Sequence, residues 1–175
     1  MLRQGVVLSI LAIVICGCVH SRSGADFVSL SQKVGPPKAG QARIVVFREQ
    51  AYTGVIDQGW DVKLDGEPIA DLKAGTYVYV DRPAGRHHFT SAEALFPGVT
   101  EQDFTVTSGR TYFFLAKASE RYRTLTGFAR AGLVGLAVGS AVTSGDSGNP
   151  GPRDFVLMDE AAARTAMSEL RLAEQ

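Results

Sequence analysis

The sequence predicts an all-β chain, mainly an antiparallel β-sandwich, with a Gly-rich helical or loop insertion and a C-terminal helix. Three observations predict it. Residues 42–117 are a series of short β-branched and aromatic runs, several alternating with period two. Turn glycines at Gly66, Gly75, Gly85, Gly98 and Gly109 separate the runs at close to the spacing of about 8–12 residues seen in sandwiches. No helix-period segment interrupts them, which argues against a parallel βαβ sheet.

The chain opens differently. Arg3 precedes an apolar run over residues 6–15, broken only by Ser9. That run is shorter than the roughly 20 residues a bilayer span needs, and its flanks are those of a secretory signal. Residues 15–18, Ile-Cys-Gly-Cys, resemble the lipobox of bacterial lipoproteins: an aliphatic residue, a variable one, a small one, then the lipidated cysteine. Gly17 fits Cys18 to that role, whereas bulky Ile15 disqualifies Cys16. The organisation read from this start is a signal at 1–17, a lipidated tether at 18–41, a β-sandwich core at 42–120, a Gly-rich insertion at 121–153, and a last strand and helix at 154–175. In the tether Pro36, Pro37 and Gly40 break any period, and Phe27, Val28 and Leu30 form a short apolar set fit to dock locally.

The body follows in order. Residues 42–49 carry apolar side chains on both faces, Ile44 and Val46 against Val45 and Phe47, which predicts a central strand. Trp60, Val62 and Leu64 alternate onto one face. Asp65-Gly66 then forms the strongest short hairpin signal, because both turn positions need positive φ. Pro68 suits the returning strand to an edge, or to a strand that begins at Pro68. Residues 76–80 set Tyr77 and Tyr79 opposite Val78 and Val80. Strands over 86–93, 100–107 and 110–117 complete the series, the last rich in aromatics at Tyr112, Phe113 and Phe114.

These runs carry a resemblance. Residues 62–69, 72–77 and 83–89 read V-K-L-D-G-E-P-I, L-K-A-G-T-Y and P-A-G-R-H-H-F, and Thr111-Tyr112-Phe113 follows. The pattern resembles the PEGA-type β-sandwich. It resembles more closely a family of bacterial envelope lipoproteins known only as domain of unknown function 2846. The resemblance implies the fold and is silent on activity, since its motifs are turn chemistry and core.

In the tail, residues 155–158 predict a last strand. Asp159 caps a helix over 160–172 that places Ala163, Met167 and Leu170 on one face. In the insertion, Gly127, Ala131, Gly135 and Gly139 recur every four residues. On one helix they form a small-residue stripe suited to close backbone approach and self-association. The uncharged run 131–145 gives about 22 Å as helix, short of the roughly 30 Å hydrocarbon core.

Composition bounds the function. The 175 residues have 18 basic and 18 acidic side chains and 45% apolar content. This is one ordinary packed domain with no basic field for nucleic acid. Both cysteines lie in the signal region, and the mature chain keeps only Cys18, whose sulfur carries lipid, so it offers no disulfide or thiol nucleophile. Residues 144–150, S-G-D-S-G-N-P, resemble the nucleophile loop of trypsin-like proteases around Ser147, yet no histidine sits in a matching motif. His87 and His88, adjacent on a strand, point to opposite faces and suit a metal poorly. Tyr52, Trp60, Tyr77, Tyr79 and Tyr112 are candidates to line a peptide or glycan groove.

The function expected is therefore a non-enzymatic bacterial envelope lipoprotein, without cofactor or metal. It is a lipid-tethered binding or accessory module, held through Cys18 at the outer membrane facing the periplasm. Candidate partners are an envelope protein or peptidoglycan, with homo-oligomers as a further expectation. The alternative is a membrane-associated or self-assembling protein acting through residues 127–143, and the remote one a hydrolase through Ser147.

Overall fold

The computed structural model describes residues 24–51, 57–94, 96–143 and 148–173. It is mostly β, with two sheets and four helices among the described residues. β1 (Gln41–Arg48), β4 (Thr76–Pro83), β7 (Thr111–Ala118), β8 (Arg153–Met158) and the short β9 (Arg171–Leu172) form one sheet in the order β8-β7-β1-β4-β9. β2 (Asp61–Leu64), β3 (Glu67–Asp71), β5 (Gly85–Ser91) and β6 (Thr100–Val106) form the other in the order β3-β2-β5-β6. Pairing is antiparallel except for β1 with β7 and β4 with β9.

β1 is central, and its apolar residues on both faces have matching neighbours. Ile44 and Val46 face the second sheet and pack with Val62, Leu64, Val78, Phe89 and Phe114. Val45 and Phe47 face the other way and pack with Tyr77, Phe113 and residues of two helices, α1 (Phe27–Val34) and α4 (Glu160–Ala166). The architecture is thus three layers: sheet, sheet, helices. Tyr77 and Tyr79 belong to one core, Val78 and Val80 to the other, as their alternation predicts.

The turn chemistry is as read. Asp65 and Gly66 have φ of 54° and 83°, the two positive values a tight hairpin needs. The Asp65 carboxylate also fastens this turn to β5. It meets His87 Nδ1 at 2.7 Å and accepts from the His88 backbone N–H at 3.0 Å. Pro68 lies on edge strand β3.

Three expectations need correction. Residues 18–41 are not tether throughout, because α1 forms inside that stretch. Asp26 caps it, accepting from the Ser29 N–H at 2.9 Å, and Phe27 is buried edge-on against Tyr77 and Phe113. The final helix does not run to residue 172. It ends at Ala166, and Arg171–Leu172 instead pairs with β4, where Arg171 N–H donates to Gly75 and Ala173 N–H to Tyr77. The exposed edge of β4 offers these ladder bonds, which outweigh one more helical turn. The glycine stripe is split as well. Residues 127–139 do not form one helix: α2 (Glu120–Ala129) and α3 (Gly132–Thr143) fold back on each other, and Gly132, at φ 74°, turns the chain between them.

Because a Cβ at Gly66 would meet nothing within 4 Å, the cost of replacing it is purely backbone strain. Gly66→Val is expected to lower unfolding free energy by about 1–2 kcal/mol, through positive φ on a β-branched residue. Urea denaturation followed by circular dichroism checks this; an unchanged midpoint contradicts it.

Candidate functional site

The two ends of the five-stranded sheet differ. At the start of β1, Arg43 is fully engaged. Its Nε and Nη2 clasp Asp81 at 2.8 and 2.9 Å, and Nη1 donates to the Gly35 carbonyl at 2.6 Å. A depression of about 670 Å³ lies nearby between α1 and the loop before β7, where Arg43 has no guanidinium edge left for a ligand and Arg110 and Arg164 stand on the lining.

The other end is an aromatic and charged cleft of about 470 Å³. β1 ends on Arg48, β8 begins on Arg153, and β2 is preceded by Trp60. Tyr122 comes from the first turn of α2, and Glu93 from the loop after β5. Both arginines are buried, and their guanidinium carbons lie 3.8 and 4.1 Å from the Trp60 ring centre. Arg153 also lies 4.5 Å from the Tyr122 ring centre. Cation–π contacts of this kind contribute from about 0.5 kcal/mol when exposed to roughly 2 kcal/mol or more when desolvated.

Two buried charges this close need answering carboxylates. Asp57 answers Arg48 at 3.0 Å, and Glu93 answers Arg153. Glu93 also accepts from the Tyr122 hydroxyl at 2.9 Å. Burial raises the Asp57 carboxyl, but N–H donation from Ala74 and Gly59 and the Arg48 charge outweigh it, leaving the group below its usual 3.8. Burial makes Arg48 less basic than usual, and the neighbouring Arg153 charge adds to this. Burial likewise pushes the Tyr122 phenol up, with Glu93 adding to the effect. Among the described residues, Arg153 Nε is the buried side-chain polar atom left without a hydrogen-bond partner, and aromatic faces lie against its guanidinium.

The cleft brings aromatic faces and paired charges together. Two of its carboxylates, Asp57 and Glu93, are tied to guanidiniums, Asp57 also to backbone N–H groups, and the Tyr122 hydroxyl donates to Glu93. Of the aromatic candidates, Trp60 alone lines this cleft. Tyr77 is buried with its hydroxyl on the Ala25 carbonyl, Tyr79 packs under Arg43, and the Tyr112 hydroxyl meets Thr107. Tyr52 lies outside the described residues, as do Cys18 and Ser147. His87 is buried between Asp65 and the Pro83 carbonyl, and half-exposed His88 meets Asp103 at 2.9 Å. No group of three or more metal-ligating side chains occurs among the described residues. Sequence reasoning missed Arg48, Asp57, Glu93 and Arg153. A charged residue ending the β-branched run of β1, at Arg48, was the signal available; Arg153 opens β8 straight after a Gly- and Pro-rich loop.

The small residues of the insertion have a local use. A Cβ at Gly135 would sit 2.1 Å from the Phe128 carbonyl oxygen, and one at Gly139 3.0 Å from the Phe128 side chain. These two glycines let α3 close on α2. Gly127 has open space around it, and Ala131 is exposed.

The fold and the cleft define the class: a two-sheet β-sandwich with helices over one face and a polar, aromatic-lined end. A family model described as "Protein of unknown function (DUF2846)" matches residues 38–128, just over half the chain, and the chain belongs to that family. The match ends inside α2. No match was found among curated proteins or among solved structures.

Two predictions follow from this geometry. Asp57 has a lowered folded pKa, so its contribution to stability is present above about pH 4 and is lost as pH falls through the lower folded value. Asp57→Asn is therefore expected to cost about 1–2 kcal/mol at pH 7 and progressively less below pH 4. Thermal melts across pH 2–7 (~5 units) check it; a constant difference contradicts it. Gly135→Leu is expected to part α2 from α3 and reduce the helical circular dichroism signal, whereas Ala137→Leu, at an exposed position, leaves it unchanged. Equal tolerance of both contradicts the packing described.

Proposed function

We propose that this chain is a non-enzymatic envelope lipoprotein: a PEGA-like sandwich, lipid-anchored through Cys18 and lying on the periplasmic side of the outer membrane, whose Trp60 cleft takes an envelope partner. The reading has two supports. In the sequence, residues 15–18 carry the lipobox pattern after a short apolar run. In the structure, the observation that carries binding is the cleft itself, where aromatic faces and neutralised charges converge at an open end.

The chemistry suits a partner with both a flat apolar face and hydrogen-bonding groups, such as a protein loop or a peptidoglycan segment. Indole and phenol rings stack on apolar faces and keep one polar atom for a bond. Internally paired Arg48 and Arg153 hold those rings in place without needing a charged ligand. In the cleft Asp57 and Glu93 are held in ion pairs with Arg48 and Arg153, which favours binding over proton transfer by these two acids.

Two measurements test this. Palmitate labelling in cells is expected to be lost in Cys18→Ala and kept in Cys16→Ala; the reverse pattern contradicts the anchor. A photo-crosslinking residue at Gln58 or Ala94, both exposed on the cleft rim, is expected to capture a discrete partner, and one at Lys38 is not. Trp60→Phe in that background is expected to reduce capture severalfold while the fold still melts cooperatively. Equal capture from all three positions contradicts the site.

A further inference from the structure

We propose that the tip of the α2–α3 hairpin lies in the surface of an anionic lipid bilayer. The inference rests on the lipid-anchor reading for one point only, the distance to the membrane.

The charge pattern comes first. From Arg121 to Thr143 the charged residues are three arginines, at 121, 123 and 130, and there is no acid. Arg121 works at the root of the hairpin, donating to the Pro97 and Pro150 carbonyls. Arg123 and Arg130 are exposed, and Arg130 stands at the tip.

Large apolar side chains sit beside Arg130. Leu133 is 87% exposed, Val134 76% and Val138 47%. They are not the packing side of α3, because Gly135 and Gly139 provide that side against Phe128. Nor does the sandwich cover them, since α3 packs mainly on α2. Contiguous apolar surface of this kind marks an interaction face.

Two occupants could cover it, a second copy or lipid. A second copy brings arginine against arginine at the tip, and the hairpin's one acid, Glu120, stands at the root in the first turn of α2, away from them. An anionic headgroup layer answers the same arginines, and Leu133 and Val134 then reach the acyl boundary below it. The hairpin cannot cross. A 12-residue helix is about 18 Å long against roughly 30 Å of hydrocarbon, and no helix among the described residues is long and apolar enough to span.

The position of the chain's start agrees. Ala25 accepts from the Leu172 N–H at 2.9 Å, and Leu172 pairs beside Tyr77 near the start of β4. That start lies opposite Arg48, at the end of β1, and parallel β7 ends on the same side before α2 begins. Gly24 and the hairpin root therefore share one end of the sandwich. The six residues from Cys18 to Gly24 span at most about 20 Å, close to the hairpin's length of about 18 Å. A lipid on Cys18 and the hairpin tip can thus meet one membrane plane.

The test uses the full lipidated chain. With Cys18 lipidated and Cys16 removed with the leader, Val134→Cys supplies a unique thiol, and Val34→Cys at the other end of the sandwich supplies a control. Each takes an environment-sensitive fluorophore, in vesicles of phosphatidylethanolamine, phosphatidylglycerol and a brominated lipid. We expect bromolipid quenching at 134 and not at 34, falling about threefold in Arg130→Glu as electrostatic attraction becomes repulsion. A lipidated chain that floats with the vesicles but leaves position 134 as wet as 34 overturns the hairpin contact and leaves the anchor standing. So does a label at 134 that is dry but unquenched, with energy transfer between copies, which makes a second copy the occupant. Quenching at 134 in a chain whose Cys18 carries no lipid supports the hairpin and overturns the anchor. A chain that does not float overturns both.

Discussion

The structure depends on one strand that has no solvent face. Every residue of β1 from Ala42 to Arg48 is buried, so both of its sides must be covered. The four-stranded sheet covers one side, and α1 with α4 covers the other. That requirement explains why Phe27, distant in sequence, is drawn under the sheet, and why the C-terminal segment returns to pack Ala163, Met167 and Leu170 beside it. Apolar burial is the dominant favourable term in folding, and this strand sits where two apolar layers meet.

The same burial decides what the ends of β1 can do. A guanidinium taken out of water needs a carboxylate and full hydrogen bonding, or it costs several kcal/mol. Arg43 meets that need completely with Asp81 and Gly35. Arg48 meets it in company with Arg153, Asp57, Glu93 and two aromatic rings, and the assembly leaves a cleft. At one end the buried guanidinium is thereby fully paired. The other gathers the cleft, the start of the described chain and the hairpin. The polar chemistry thus gives the two ends of the sandwich different characters.

Much of this was legible in the sequence, and the pattern of what was not is physical. Alternation and β-branching located the strands of 42–117, because side-chain period reports directly on which face is buried. Asp65-Gly66 announced its turn, because few residue pairs accept two positive φ values. The tertiary competitors were hidden. Nothing local shows that Arg171–Leu172 will take the free edge of β4 rather than extend α4, or that Asp26 will cap a helix in a stretch rich in prolines and glycines. The stripe Gly127, Ala131, Gly135, Gly139 looked continuous because spacing alone cannot show that Gly132 will turn the chain. Of the cleft, Trp60 was visible as an aromatic. Its partners were not, since Asp57, Glu93 and Arg153 come from three separate segments.

The central claim is that a strand buried on both faces supports the sandwich, while the α2–α3 hairpin packs mainly on itself at the end that holds the cleft. Native-state hydrogen exchange on the full chain tests it most directly, because exchange resolves which segments open alone and which open only with the whole. The account predicts that amides of β1 and β7 exchange slowest, at the rate of global unfolding, while α2 and α3 exchange far faster and independently. Exchange of β1 as fast as the hairpin, or of the hairpin only together with β1, would contradict it.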